Sequence, residues 1–552
     1  MLTKSLQSKK AVPSHHKANQ RSQKGVAPTG FRRWALLGVT AVLVATLLAA
    51  AAGQPALAAT PPDVLVIGIS DDVDNLDPHV TMTNRSWAVT YPAYQRLVRY
   101  KVENGVGSTE VEPDLATGWT VSDDGLVWTF TLRRTARFAD GTPVDAHAVV
   151  YSFERLLAIG EGPADAFPTL AKVEAVDDYT VRFTLSEPFA PFLLTLANNG
   201  AGIVNPRLAE REVNGDLGRG YLAEHTMGSG PYQLERWDKD QQLRLVPNPY
   251  YDGPAPAFRM VVFLVIKDPS ARRLQLERGD IDIAEALPLD QLETLRVRPG
   301  IRVEDYPSLR VTYLYLNNQR WPLNDVRVRQ AISYAVDYDA IIAGVMLGNA
   351  VQMRGPVPQG MWSHDPGLYQ YRRDLERARA LLREAGVSGG LRLGYLYSPV
   401  YPEWEQIGLA VQAQLAEAGI QLKLQPYAYA TMRAMLDEGQ FDIAVGNWTP
   451  DFADPYMFMN YWFDSEYGGL PGNRSFYANP EVDRLIRAAA VVTDINERTR
   501  LYQEAQRIVV DEAAYVYLYQ QNYQVAMRDN VVGYVFNPML LDIFNVETMS
   551  KR

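Results

Sequence analysis

Three observations predict an α/β fold with mixed sheets, divided among more than one interwoven domain. Stretches with strand periodicity alternate with stretches of helical periodicity along most of the chain. With 552 residues and 47% hydrophobic content, the chain can bury a core too large for one domain. No low-complexity linker interrupts it after the first 58 residues, so the domains are expected to interleave rather than follow one another.

Those first residues read as an export leader. Residues 1–58 carry Lys4, Lys9, Lys10, Lys17, Arg21, Lys24, Arg32 and Arg33 and no acidic residue. Trp34 to Ala52 is an uncharged apolar run, and Ala56-Leu57-Ala58 supplies a small-x-small cleavage site before Ala59. Ala35 stands where a twin-arginine signal has a large apolar residue, which favours Sec export. The run is about long enough to span a bilayer, so an uncleaved anchor is the alternative. The chain has no cysteine, which excludes a Cys-linked lipid anchor, disulfides, thiolate metal sites and a cysteine nucleophile. Removing the eight leader charges takes the formal net charge from −10 to −18, a balance that excludes nucleic acid as a natural partner.

Further along, Asp140-Gly141-Thr142-Pro143 predicts a turn and a helix start, with Thr142 as N-cap and Pro143 in the first helical position. Val181, Phe183 and Leu185 alternate with polar residues as in a half-buried strand. Val328, Ala331, Ile332, Ala335 and Val336 follow at helical spacing behind an Asn324 or Asp325 cap, and a second helix is expected between Asp337 and Gly348. Arg327 and Arg329, at that helix start, are expected in ion pairs rather than on a ligand. Leu375, Ala378, Leu381, Leu382 and Ala385 mark a helix stopped by Gly386, and Trp404, Ile407, Val411 and Leu415 one stopped by Gly419. Strands LRLGYLY and IQLKLQPY follow these two helices. Gly279-Asp280-Ile281-Asp282-Ile283 and Gly439-Gln440-Phe441-Asp442-Ile443 share a G-x-apolar-D-I pattern, which reads either as a coincidence of helix-turn-strand junctions or as a structural repeat.

Enzyme templates fail. The chain has no G-x-S-x-G, G-x-x-x-x-G-K-[ST] or H-E-x-x-H, and no G-x-G-x-x-G after a strand. The carboxylate pairs Asp71/Asp72 and Asp123/Asp124 lie in turn contexts and are expected to be solvated. His79, His147, His225 and His364 show no ligand spacing, so neither a metal nor another cofactor is expected. A different pattern stands at Gly446-Asn447-Trp448-Thr449-Pro450-Asp451-Phe452-Ala453-Asp454-Pro455. An indole, a carboxylate and two prolines follow the apolar strand FDIAV, at a strand end where α/β proteins place ligand contacts.

An ordered series of motifs carries a family resemblance. It comprises Leu76-Asp77-Pro78, Pro113-Asp114-Leu115-Ala116, the block from Trp119 to Leu156, Gly228-Ser229-Gly230-Pro231-Tyr232, Asn248-Pro249-Tyr250-Tyr251, the block from Leu316 to Gly348, and Gly355-Pro356-Val357-Pro358. Together these resemble the extracellular solute-binding proteins of family 5, receptors that feed ABC importers. The resemblance implies a bilobal periplasmic-binding-protein fold, type II and cluster C-like, with an inserted extra subdomain. Its limits would be residues 59–97, 200–304 and 518–552 for lobe I, 98–199 for the inserted subdomain and 305–517 for lobe II, with crossovers near Tyr306 and Tyr517. It places the two G-x-apolar-D-I junctions one per lobe. It implies a monomeric, non-enzymatic receptor in the periplasm or cell envelope that captures short peptides by hinge closure and passes them to a permease. Other solutes of the family, such as an oligosaccharide, an opine-like compound or a nickel chelate, are the alternatives, and a hydrolase on this scaffold is the rival from another class. By motif position Asp451 would hold a peptide α-ammonium beside Trp448, with Asp454 as a turn partner. Peptide backbone would pair with strand edges near Met82, Thr83 and Asn84 and near Asn447, Trp448 and Thr449.

Overall fold

The computed structural model describes residues 60–552 other than 104, 388 and 471. The expected leader, its cleavage site and the possible anchor lie outside the described residues. Among those described, no helix is long and apolar enough to cross a membrane.

An eleven-stranded sheet organises the chain. Numbered along the sequence, its strands are β1 (Val64–Ile69), β2 (Tyr232–Asp238), β3 (Gln242–Pro247), β4 (Met260–Val265), β5 (Ile283–Ala284), β6 (Ile301–Leu316), β7 (Ala350–Gln352), β8 (Leu391–Tyr397), β9 (Ile420–Pro426), β10 (Ile443–Trp448) and β11 (Tyr515–Arg528). Their spatial order is β9-β8-β10-β6-β11-β5-β1-β4-β3-β2, with β7 added on β11. The 16-residue β6 and 14-residue β11 run antiparallel through the middle. Their register breaks between Pro307 and Val311 and again at Tyr313, as an inserted residue requires.

On either side of this ladder stands the same three-stranded parallel unit. β1 lies between β4 and β5, and β8 between β9 and β10. The G-x-apolar-D-I echo is the junction that enters the third strand of each unit. Helices Pro269–Arg278 and Tyr429–Asp437 precede the two junctions, and Gly279 and Gly439 have left-handed φ of 83° and 66°, which suits a residue without Cβ. The Asp282 carboxylate then accepts the Val66 N–H of β1 at 2.8 Å, and Asp442 accepts the Gly394 N–H of β8 at 2.8 Å. Each carries a cation, Lys551 at 2.7 Å and Arg320 at 2.6 Å. A repeat with the same hydrogen bond made twice is therefore present, not a coincidence of spacing.

Between β1 and β2 the chain builds a separate antiparallel sheet, ordered Ala116–Val121, Val127–Leu132, Thr180–Leu185, Leu170–Asp177. Val181, Phe183 and Leu185 are buried as their alternation predicts. Helix Ala146–Ile159 covers this sheet, and Phe153 meets Phe183 edge-on at 4.9 Å. Its N-cap is Asp145, not Thr142: the Asp145 carboxylate accepts the Ala148 N–H, whereas Thr142 gives its own N–H and hydroxyl to Asp140 within the turn. Pro143 thus precedes the helix rather than opening it.

That helix is tied to the Leu76-Asp77-Pro78 turn by a buried cluster. Arg155 donates to both oxygens of Asp77, at 2.9 and 2.5 Å, and approaches His79 Nδ1 at 2.9 Å. Burial pushes the His79 imidazole down to about 4, so it stays neutral beside the guanidinium.

The later helices follow their sequence signals. Asp325, Asp337 and Asp374 cap helices Val326–Ala335, Tyr338–Val345 and Leu375–Glu384, and Gly348, Gly386 and Gly419 have positive φ just past helix ends. Arg327 pairs with Asp325 as expected. Arg329 differs: it is buried and donates to the backbone carbonyls of Leu323 and Glu512, the latter the C-cap of helix Ile495–Asp511, rather than to a carboxylate.

Truncating Arg155 should be among the most damaging changes, because it leaves Asp77 buried without its cation. Arg155→Met is expected to cost about 3–5 kcal/mol, read as a shifted urea midpoint with an unchanged slope.

Candidate functional site

Strand β10 supplies the first half of the site. β6 pairs with its whole length, from Leu316 opposite Ile443 to Val311 opposite Trp448. On the other side β8 accompanies it only at Ile443 and Ala444. From Val445 to Trp448, no strand among the described residues occupies that edge; Val445 and Gly446 are buried, while Asn447 and Trp448 are half-buried and line the cavity described below, where an extended ligand can reach the edge.

The chain then turns through 449–455 into helix Tyr456–Phe463. Asp454 fixes this turn. Completely buried, it takes two hydrogen bonds from Arg498 at 2.9 Å each and accepts the Tyr456 N–H. Trp362 lies against Arg498, 4.8 Å from ring centroid to guanidinium, and donates its indole N–H to the Ala453 carbonyl. Asn198 donates to the Asp451 carbonyl at 2.8 Å. Every backbone tie thus positions Asp451 while leaving its carboxylate unused.

A cavity of about 320 Å³ opens above this loop, at the lower end of the range for small-ligand sites. Asn447, Trp448, Thr449 and Asp451 line it from one side, and Met82 and Asn84 from another. Thr83 does not line it. Its hydroxyl accepts the Ser86 N–H as cap of helix Asn84–Thr90 and donates to Asp74. The expected strand edge at Met82-Thr83-Asn84 is therefore a helix start, because an Asp74-anchored threonine captures the backbone before it can extend.

The structure adds residues that the sequence reading missed. Tyr100, Asn198, Asn199, Tyr429, Arg433, Arg474 and Leu540 also line the cavity. The adjacent asparagines at 198–199 were the one local signal; the others come from segments with no motif of their own. Inside the cavity wall the Trp448 indole N–H and the Asn199 side-chain oxygen are buried without a protein hydrogen-bond partner, giving a ligand one donor and one acceptor. Arg474 donates to the Tyr315 hydroxyl at 3.0 Å and stands 5.6 Å from the Trp448 ring centroid.

Asp451 is the electrostatic anomaly. Burial, reinforced by the negative charge of Asp165, pushes its carboxyl up to about 6. Asp165 also borders a neighbouring cavity of about 130 Å³, walled by Phe189, Phe452, Tyr456 and Tyr461. A cation placed at Asp451 relieves both the repulsion and the lost hydration.

Other titratable groups have structural work. Asp72 receives the Trp237 indole N–H and the Asp240 N–H, so it is a connector and not the solvated turn residue expected. His225 stacks on Tyr221, and His364 Nδ1 faces the Val357 carbonyl.

Comparison with known proteins gives a consistent result. The family model described as bacterial extracellular solute-binding proteins, family 5 Middle, matches residues 110–469. The probable D,D-dipeptide-binding periplasmic protein DdpA of Escherichia coli (strain K12) is 56% identical over 494 residues, covering 90% of this chain and 95% of that protein. The dipeptide-binding protein of the same organism is 31% identical, covering 82% and 88%. Among solved structures, the ABC transporter-associated periplasmic binding protein DppA from Helicobacter pylori, in complex with peptide STSA, superposes with a TM-score of 0.75 at 30% identity, over 88% of this chain and 98% of that one.

The raised carboxyl sets a pH signature. A ligand α-ammonium pairs only with ionised Asp451, so its Kd should be lowest near pH 7, rise as pH falls through 6 by up to tenfold per unit, and rise again above about pH 8, where the peptide amine loses its proton. The sign for the ligand-free protein is opposite. A folded-state value above the unfolded one gives stability that is present in acid and lost as pH rises through about 6. Asp451→Asn should therefore raise the denaturation midpoint at pH 8 and leave it unchanged near pH 3, below both values.

Proposed function

Because the chain belongs to the bacterial extracellular solute-binding proteins of family 5, we propose that it is the exported receptor of an ABC importer, capturing short peptides between two lobes and presenting them to a membrane permease. Residues 1–58 act as the export signal. The observation that carries the peptide reading is the unpaired carboxylate of Asp451 at the end of an open strand edge. The ligand's α-ammonium sits on Asp451, its backbone runs along Asn447–Thr449, and Trp448 forms the adjoining wall. A desolvated ammonium needs such a partner, whereas a neutral sugar does not. The 56% identical relative points to dipeptides of D-residues as the first ligands to try.

Closure follows from the ladder. The repeat β5-β1-β4 and β10-β8-β9 supports one lobe on each side of β6 and β11, with limits at 59–97, 200–304 and 518–552, at 305–517, and an inserted 98–199. The register breaks after Pro307 and at Tyr313 support a hinge in the crossover strands, close to Tyr306 and Tyr517. Ligand contacts from both sides favour the closed state by their difference in affinity for the two states, and that difference alone drives the movement. No bond is made or broken.

Asp451→Ala should weaken binding of a dipeptide by roughly 100-fold or more, the cost of leaving an enclosed ammonium unpaired. N-acetylation of the dipeptide should cost the wild type a similar factor. At about 100 times Kd the unmodified ligand adds about 2.7 kcal/mol of stability, measurable as a thermal shift. Equal shifts for free and acetylated dipeptides would remove the ammonium role from Asp451.

A further inference from the structure

A separate cavity of about 280 Å³ shares only Tyr100 and Leu540 with the one above the strand-end loop. The exposed residues Val102, Pro254 and Thr548 border it. Glu547, from the last segment of the chain, also lines it. Its Oε2 atom is buried without a hydrogen-bond partner, and among the described residues the carboxylate makes no ion pair. The guanidiniums nearby are engaged elsewhere. Arg99 pairs with Glu112 at 2.9 Å and Arg133 with Asp252 at 3.0 Å. Arg96 lies over the Tyr91 ring, 4.0 Å from its centroid, and gives its backbone N–H to Asp114. Against these three cations stand the carboxylates of Glu112, Asp252, Asp114 and Glu547, and Glu547 is the one left over. Burial pushes its carboxyl above the ordinary range, and Arg99 and Arg96 offset only part of that. The rest of the wall is aromatic, from Tyr91, Tyr100 and Tyr251. The Tyr251 ring packs on Gly253, where a Cβ would come within 2.5 Å of it, so the close turn holds that ring in place.

We propose that this cavity is a second binding site, for a small primary alkylammonium whose N–H donors go to Glu547 Oε2 and whose alkyl part lies against the tyrosine rings. A buried acceptor without a partner calls for a donor. A carboxylate that has lost its hydration gains most when that donor carries a positive charge. Tyrosine rings serve both parts of such a ligand, since their faces attract the cation and their surface covers the hydrocarbon. A neutral solute would leave the carboxylate uncompensated, and an anion would add to its charge. The site stands independently of the peptide reading, because no residue of the loop 449–455 lines this cavity.

Ligand-observed NMR titrations of the full receptor at neutral pH test it, with isobutylammonium as the probe and isobutanol as its neutral counterpart. The wild type and Asp451→Ala should both bind the ammonium, and about tenfold or more tightly than the alcohol. Glu547→Gln keeps the shape of the side chain and removes its charge. It should erase that preference while the urea midpoint at neutral pH falls no lower than the wild type's, because a buried charge has been removed. Should that variant fail to fold, Tyr251→Leu leaves the carboxylate in place and is expected to weaken the ammonium by about fivefold. The proposal is overturned if ammonium and alcohol bind equally, if Glu547→Gln keeps the preference for the ammonium, or if no ammonium binds at tens of millimolar. It is overturned as well if binding vanishes in Asp451→Ala, which would assign the amine to the first cavity.

Discussion

The antiparallel pairing of β6 with β11 is the constraint on which the rest of the structure depends. β6 joins one parallel unit through β10 and β11 joins the other through β5, so among the described residues the pairing of these two strands is what links the units within the main sheet. Their central stretch is held by aromatic packing: Tyr313, Tyr315 and Tyr515 meet one another within 5.3 Å, and Trp462 stacks on Tyr515. The same ladder sets the site, because Val311 and Thr312 fix the register of Trp448 and Asn447. A shift of one residue there would turn the indole to the opposite face. Rigidity in the middle and a broken register beside it are what a two-lobed receptor needs from its connecting strands.

Asp451 and Asp454 lie three residues apart and meet opposite fates. Asp454 is fully buried and fully paired, so the Arg498 fork, the Trp362 contacts and the helix start at Tyr456 hold the turn in one shape. Asp451 is held by that shape through its backbone while its carboxylate faces a cavity and the charge of Asp165. The stability lost by leaving a carboxylate without a partner is the counterpart of affinity for a cation.

Local signals set local structure. Asp325, Asp337 and Asp374 cap helices because a carboxylate one residue before a helix satisfies a free N–H whatever lies around it, and glycine ends helices at 386 and 419 because its backbone tolerates positive φ. The failure at Thr142 was also local: Asp140 competed for its N–H and hydroxyl, and Asp145 took the cap. The G-x-apolar-D-I echo was legible as a pattern, but its meaning lay in hydrogen bonds that Asp282 and Asp442 accept from strands about 220 and about 50 residues away, respectively.

By itself the sequence determined the α/β class, the family, the helix ends at Gly386 and Gly419 and the loop that carries Trp448 and Asp451, since each depends on residues near one another in the chain. Only the tertiary structure decided which distant side chains face that loop. It brought Asn198, Asn199, Tyr429, Arg433 and Arg474 to the cavity and removed Thr83 from it. It also decided which charges are spent and which remain: Arg498 and Arg329 are consumed by the fold, and the Asp451 carboxylate is not. Charge pairing is a property of three-dimensional neighbours and of the water they exclude, and no spacing along the chain encodes it.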